Sequence, residues 1–145
     1  MTPEPDVARA VLERDSAERF QRLRRELGVE SFGINLIVLQ PRERGRIHAH
    51  ERQEEVYLVL AGNLTLLIEA EPHELGEGEL IRVAPALRRQ LVNRGPGRVV
   101  LLALGGDGEH SGRDGEAFSS WGEEVGAAPQ EVPLPADLDR SDIRR

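Results

Sequence analysis

The chain has 145 residues, no cysteine and a net charge of −7, and all 19 of its basic residues are arginine. The length suits one domain with a buried core, and the lack of cysteine excludes disulfides, thiolate metal sites and cysteine nucleophiles. An acidic chain without a block of arginines lacks the charge pattern of a nucleic-acid-binding protein. The longest apolar run, Val99 to Leu104, is far too short to span a membrane, and the first residues carry no secretory signal, so we expect a cytoplasmic protein.

The first segment, residues 1–30, predicts a helical arm. From Asp6 to Leu27, apolar residues recur near one helical face, with arginine and glutamate on the others. The helix begins either at Asp6 or, because the residues that follow Asp15 resemble a capping box, at Asp15. Gly28 is well placed to end it. We expect this arm to pack on the outside of the domain.

The second segment, residues 31–106, predicts a β domain, because short apolar runs alternate with turn signals and no helical period continues through it. The glycine of Gly62-Asn63, between two predicted strands, accepts a positive φ and therefore predicts a tight hairpin turn. The predicted strands are 33–40, 46–50, 55–60, 64–70, 79–83, 88–92 and 99–104.

The third segment, residues 107–145, predicts an extended tail, because it is rich in glycine, proline and acidic residues. It contains 10 acidic residues and 4 arginines, and so carries most of the net negative charge of the chain. Phe118 and Trp121 are the exception within this polar segment. We expect both rings to dock on the body of the domain, so that the tail is partly docked.

Residues that can ligate a metal lie where one predicted strand ends and the next begins. His48 and His50 are two residues apart, so their imidazoles point to the same face of a strand, and a short link can bring Glu55 beside them. Two imidazoles and one carboxylate form a triad suited to iron(II), manganese, nickel or zinc. The two histidines can also simply hydrogen-bond Glu55 without a metal. His73 and His110 are expected at the surface.

This segment resembles the cupin superfamily, and in particular its small, single-domain, bacterial-type members. The first cupin motif is His-x-His, four residues, Glu, six residues and Gly, and it is met in full by His48, His50, Glu55 and Gly62. The resemblance implies an all-β, double-stranded β-helix (jelly-roll) barrel that binds a small molecule in its mouth. We therefore expect a cupin barrel with an N-terminal helical arm and an extended acidic C-terminal tail.

The second cupin motif is degenerate in this chain. Gly78 and Asn93 match it, but Arg89 stands where the family has the histidine that supplies its last metal ligand. Arg89, Leu91 and Asn93 share one strand face by alternation, so the guanidinium should point into the barrel mouth. There it can oppose a metal, form an ion pair with Glu55, or bind a carboxylate or phosphate of a ligand.

Two classes of function remain open, because the fold alone does not choose between them. In the enzyme interpretation, the triad holds a divalent metal, and an oxygenase, isomerase or lyase substrate binds beside it. In the binding-module interpretation no metal is bound, and the protein senses or sequesters a small molecule. Arg89 would then anchor an anionic or sugar-like ligand, and Tyr57 and Asn93 are further candidate ligand-binding residues.

The strand predicted at 55–60 is apolar on both faces apart from Glu55. One face lines the barrel, and the other needs a cover from the N-terminal arm or from a second subunit. Cupins commonly form homodimers on such a face. We therefore expect a homodimer, without nucleic-acid or membrane partners.

Overall fold

A computed structural model describes residues 6–106 and 114–143. In that part of the chain, ten strands form two antiparallel five-stranded sheets, which confirms the predicted all-β fold. The strands are β1 (Phe20–Gln21), β2 (Gly33–Leu39), β3 (Ile47–His50), β4 (Glu54–Ala61), β5 (Leu64–Ile68), β6 (Glu71–Leu75), β7 (Leu80–Val83), β8 (Arg89–Val92), β9 (Val99–Gly106) and β10 (Gly115–Phe118). The other elements are the helix α1 (Leu23–Leu27) and two 3-10 helices, Pro129–Glu131 and Arg140–Asp142.

The first sheet has the strand order β1-β2-β9-β4-β7, and the second has the order β10-β3-β8-β5-β6. The main core lies between them, because alternate residues of each strand point inward. In β9, for example, Val99 and Leu101 belong to this core, whereas Val100 packs on the opposite face. The core is almost entirely aliphatic, as a chain with few aromatic residues requires.

The N-terminal arm covers the outer face of the first sheet. Leu23, which is 2% exposed, packs with Leu36, Val38 and Val100, and Leu12 adds to the same cluster. The sequence predicts that this face is covered by the N-terminal arm or by a second subunit. The arm therefore provides one of these two covers. No helix in the described ranges 6–106 and 114–143 is long and apolar enough to span a membrane.

The prediction of a long helix in this arm is wrong. Within the described part of the arm, residues 6–30, only α1 is helical, although Gly28 ends it in the left-handed conformation, with a φ of 72°, as predicted. Val7 and Val11 are 77% and 83% exposed. Most of the apolar face predicted before α1 therefore lacks a surface to pack against, and tertiary packing supplies most of the stability of a short helix.

The seven strands predicted between residues 33 and 104 are all present, with each end within two residues of its predicted place. The prediction missed β6, because Pro72 indicated a loop. Proline is tolerated there because β6 is the edge strand of its sheet. His73 on β6 is exposed, as predicted, and His110 lies outside the described residues.

The hairpin predicted at Gly62-Asn63 is wrong, because β4 and β5 lie in different sheets. The turn carries the chain from one sheet to the other. Gly62 has a φ of 82°, and a Cβ on it would lie 2.3 Å from the carbonyl oxygen of Arg98. This turn therefore requires glycine both for its backbone conformation and for space.

The C-terminal segment packs against the second sheet. Its strand β10 pairs with β3, and Phe118 packs with Ile47 and Ala49, with Trp121 against the same cluster. Further along, three arginines of the β2–β3 connection hold the tail backbone through their Nε atoms. These bonds run from Arg42 to the carbonyl oxygen of Leu138, from Arg44 to that of Ala136 and from Arg46 to that of Val132, at 2.7, 2.7 and 2.6 Å.

Candidate functional site

The two sheets meet at the residues of the predicted triad. On β3, Ile47 and Ala49 pack outward against Phe118, so the alternation turns His48 and His50 inward. Glu55 lies near the start of β4, in the other sheet. The site therefore forms across the gap between the sheets, from two strands that are close in sequence.

The triad residues are brought together as the spacing predicts. The Nε2 atoms of His48 and His50 each lie 3.2 Å from Glu55 Oε1. The two imidazole rings are nearly perpendicular, with their centroids 5.5 Å apart. One ligand atom from each residue lies within 4.8 Å of the others, so the three can bind one metal ion.

The donor set fits a divalent metal. Both ring nitrogens of His50 are buried and have no hydrogen-bond partner within the described part of the chain. Its Nε2 is near Glu55 Oε1 but outside hydrogen-bond geometry. A buried polar atom without a partner costs free energy, and a metal bound to Nε2 would remove that cost. Two imidazoles with a carboxylate suit iron(II), manganese, nickel and zinc.

Glu55 Oε1 also accepts a 2.6 Å hydrogen bond from the Tyr57 hydroxyl. Burial tends to raise the pKa of Glu55, but the contacts with His48 and His50 outweigh it and hold that pKa well below its usual range. Burial and the neighbouring Glu55 charge raise the pKa of Tyr57 well above its usual range. At neutral pH the site therefore contains a carboxylate and a neutral phenol.

Arg89 faces Glu55, as strand alternation predicts. It lies opposite His48 in the β3–β8 pair, and its Nη1 is 3.8 Å from Glu55 Oε1. However, the residue is 0% exposed, and Nη2 donates to the carbonyl oxygen of Ala84 at 2.8 Å. Enclosed in this way, Arg89 presents no surface to a ligand, contrary to the anchoring role predicted for it.

Asn93 also differs from its predicted ligand-binding role. It is fully buried, and its side-chain amide donates to the carbonyl oxygens of Leu39 and Gly97, both at 2.9 Å. Its Oδ1 accepts the backbone N–H of Gly95. These bonds hold the turn after β8, so the side chain has a structural role.

The site opens into a cavity with two adjoining lobes, both lined by Asn35, His50 and Glu55. The larger lobe has a volume of about 390 Å³, within the range of small-molecule pockets. The smaller lobe, of about 220 Å³, is mainly apolar, and Tyr57 lines it, while its ligand-binding role stays a prediction. Tail residues, Leu134 among them, close this second lobe.

Sequence reasoning missed Asp114. Its Oδ2 lies 3.6 Å from His50 Nδ1, and its carboxylate accepts the backbone N–H groups of Arg52 and Gln53. Burial tends to raise the pKa of Asp114, but these N–H groups and His50 together lower it. Asp114 is far from His50 in the sequence and lies in a segment predicted as a tail. Only the pairing of β10 with β3 brings the two residues together, so no local pattern indicates the contact.

The comparisons with known proteins agree on the fold. The family model described as "Cupin domain" matches residues 35–105. A cupin protein from Bacteroides fragilis is 20% identical, with a TM-score of 0.64, over 75% of this chain and 92% of that one. A sugar phosphate isomerase from a cupin superfamily, from Silicibacter pomeroyi, is 22% identical over 90% of both chains, with a TM-score of 0.62.

A third similar structure is the cupin domain of an XRE family transcriptional regulator from Enterobacter cloacae. It is 22% identical, with a TM-score of 0.55, over 60% of this chain and 93% of that one. At these identities the likeness concerns the fold alone. No curated protein matches the chain.

Proposed function

The chain belongs to the cupin family through residues 35–105, and we propose that it is a metal-dependent enzyme acting on a small molecule. In this proposal His48, His50 and Glu55 hold the metal, which is iron(II), manganese, nickel or zinc. Among the oxygenase, isomerase and lyase activities considered above, we favour an isomerase. The similarity to a chain named sugar phosphate isomerase, which extends over 90% of both proteins, supports this choice.

One observation carries the proposal. The Nε2 atoms of His48 and His50 converge on Glu55 Oε1 at 3.2 Å each, and His50 has no hydrogen-bond partner for either nitrogen in the described residues. Histidines that served only to bond a carboxylate would be expected to satisfy their buried nitrogens. A bound divalent metal would supply Lewis-acid polarisation of a substrate carbonyl or hydroxyl oxygen.

The surrounding side chains prepare the site for substrate. The Tyr57 hydroxyl donates to Glu55 and so orients the carboxylate toward the histidines. Asp114, near the far nitrogen of His50, orients that ring and supplies a negative charge on the side away from Glu55. The apolar lobe beside Tyr57 holds carbon atoms of the substrate and keeps water from them.

A second candidate function is a metal-free binding module. The observation that favours it is Arg89, which replaces the last cupin ligand and lies 3.8 Å from Glu55 Oε1. Two unit charges about 4 Å apart interact by about 4 kcal/mol at an effective dielectric near 20. The positive charge of Arg89 therefore repels a metal cation bound by the triad. The similar domain of a transcriptional regulator is consistent with a sensing role. In this alternative the ligand would bind the exposed walls of the cavity, because Arg89 is enclosed.

The test is the metal content of protein purified without a histidine tag, together with calorimetric titration of the four metals. We expect one ion per chain, lost in His50→Ala and in Glu55→Gln. His73→Ala is the matched control, because His73 is exposed on β6, away from the site. Folded protein that retains and binds none of the metals would overturn the proposal in favour of the binding module. A cytoplasmic location and a homodimer remain parts of the proposal that rest on the sequence.

A further inference from the structure

One wall of the larger cavity lobe is strongly cationic. Arg22, Arg24 and Arg25 line it, and they face His50 and Glu55 across the same space. Glu55 is the only carboxylate among the residues that line this lobe within the described chain. The protein as a whole carries a net charge of −7, so this wall has the opposite sign to the molecule that contains it.

The guanidinium groups of these three arginines have no partner among residues 6–106 and 114–143. The Nε of Arg24 is buried there without a hydrogen-bond acceptor. Several other arginines are paired instead: Arg19 bonds Glu43, and Arg46 bonds the backbone of the tail. Three guanidinium groups that line one cavity repel one another, and a bound anion would offset that repulsion.

The element that carries these arginines is fixed in place. Leu23, between Arg22 and Arg24, is 2% exposed and packs on the outer face of the first sheet. Gly28 then ends α1 in the left-handed conformation. The arginines are therefore presented from a packed turn of helix, which lowers the entropy cost of ordering them around a ligand.

We propose that this wall binds the phosphoryl group of a small phosphorylated substrate, whose other end reaches the His48–His50–Glu55 centre. The inference rests on the proposed function of the same cavity and names its substrate class. A guanidinium donates two parallel hydrogen bonds to phosphate oxygens, and several arginines match a dianion better than a single carboxylate. The wall lines the same lobe of about 390 Å³ as His50 and Glu55, and His48 lines the adjoining lobe, which suits a small molecule that contacts both the wall and the triad.

The test is calorimetric titration with inorganic phosphate, and separately with acetate, of protein stripped of metal and of protein loaded with metal. We expect phosphate to bind both forms, and more tightly than acetate. The double variant Arg24→Gln/Arg25→Gln should weaken phosphate binding at least tenfold and leave metal affinity unchanged. Arg14→Gln is the control, because it removes the same charge from an exposed position of the same arm. Arg25→Gln alone, at an exposed residue, should weaken phosphate binding in the same direction if the double variant does not fold.

Three results would overturn the inference. The first is phosphate affinity that is equal in the wild type and in the arginine variants. The second is phosphate binding that disappears when the metal is removed, because the anion would then sit on the metal. The third is acetate binding as tight as phosphate binding, which would point to a carboxylate substrate. Phosphate binding through the arginines in a protein that binds no metal would instead refute the proposed function and leave this site standing.

Discussion

Four side chains approach a single atom, Glu55 Oε1: two histidines, the Tyr57 hydroxyl and the Arg89 guanidinium. Of these, the two histidines lower the pKa of Glu55 and hold its carboxylate ionised in a buried position, where burial alone would raise that pKa. Arg89 is the member of this group that opposes a metal. Asp114 supplies a negative charge on the other side of His50, 3.6 Å from its Nδ1.

The first prediction concerns Arg89, which lies opposite His48 in the β3–β8 pair. Arg89→His should raise metal affinity more than tenfold, because it removes a repulsive charge and adds a ligand where cupins have one. Arg89→Met is the matched control, since it removes the charge without adding a ligand, and its gain should be smaller. Calorimetric titration measures both. Unchanged affinity in Arg89→His would show that Arg89 does not occupy the position of the missing ligand.

The second prediction concerns Asn93, whose amide satisfies three backbone groups in the turn after β8. Asn93→Ala should lower the free energy of unfolding by about 2 kcal/mol, because those buried groups lose their partner. Metal affinity should stay within about threefold of the wild-type value, as expected of a change far from any ligand contact. Urea unfolding and metal titration of the same variant measure the two effects. A large loss of metal or phosphate binding with unchanged stability would restore the ligand-binding role.

For individual residues, the sequence predicts contacts between residues that are close together in the chain. His48, His50 and Glu55 are positioned by strand alternation and one short link, so their spacing is sufficient to find them. Asp114 and the arginines of α1 reach the cavity only through the packing of the tail and of the arm. In the sequence, these arginines match the polar face of a helix. No local sequence pattern distinguishes an arginine exposed to solvent from one that lines a cavity.

At the scale of elements, strands and helix differ in how well the sequence predicts them. The strands between residues 33 and 104 are short apolar runs bounded by turn residues, and both signals are local. A helix in an arm depends on a surface to bury its apolar face. Leu12 and the residues from β1 to α1 meet the sheet, but Val7 and Val11 at the start of the apolar period stay exposed.

The third prediction concerns the turn between the two sheets. Gly62 and Gly78 have nearly the same positive φ, 82° and 81°. A Cβ on Gly62 meets the backbone at Arg98, whereas a Cβ on Gly78 has nothing within 4 Å. Gly78→Ala should therefore cost about 1–2 kcal/mol from conformation alone, and Gly62→Ala should cost clearly more. Equal losses of unfolding free energy in the two variants would show that the clash at Gly62 is relieved at no cost.

At the scale of the whole molecule, the two ends of the chain cover the two outer faces of the barrel. The arm packs on the first sheet, and the tail packs on the second through Phe118 and Trp121. Both ends also reach the site, since Arg24 comes from the arm and Leu134 from the tail. The strands of the barrel alone therefore do not enclose the cavity. The N-terminal arm and the C-terminal tail complete its walls.

The fourth prediction concerns assembly. The arm leaves part of the first sheet open at its edge strand β7, where Leu80 is 62% exposed beside Leu58. We still expect a homodimer, now through this edge, because pairing would bury the remaining apolar surface. Light scattering should give twice the mass of the 16.1 kDa chain, and Leu80→Arg should give the mass of one chain. A single-chain mass for the wild type at micromolar concentration would show that the arm alone covers enough of the apolar surface of the first sheet.

The proposed function depends on the claim that His48, His50 and Glu55 hold a divalent metal, and anomalous X-ray diffraction from zinc-loaded crystals can locate that metal. We expect one strong peak in each chain at about 2.0–2.2 Å from a ring nitrogen of each histidine and from a Glu55 oxygen. Arg89 should be turned away from that peak or tied to another acceptor. A well-ordered triad without a peak, with Arg89 still paired to Glu55, would contradict the claim.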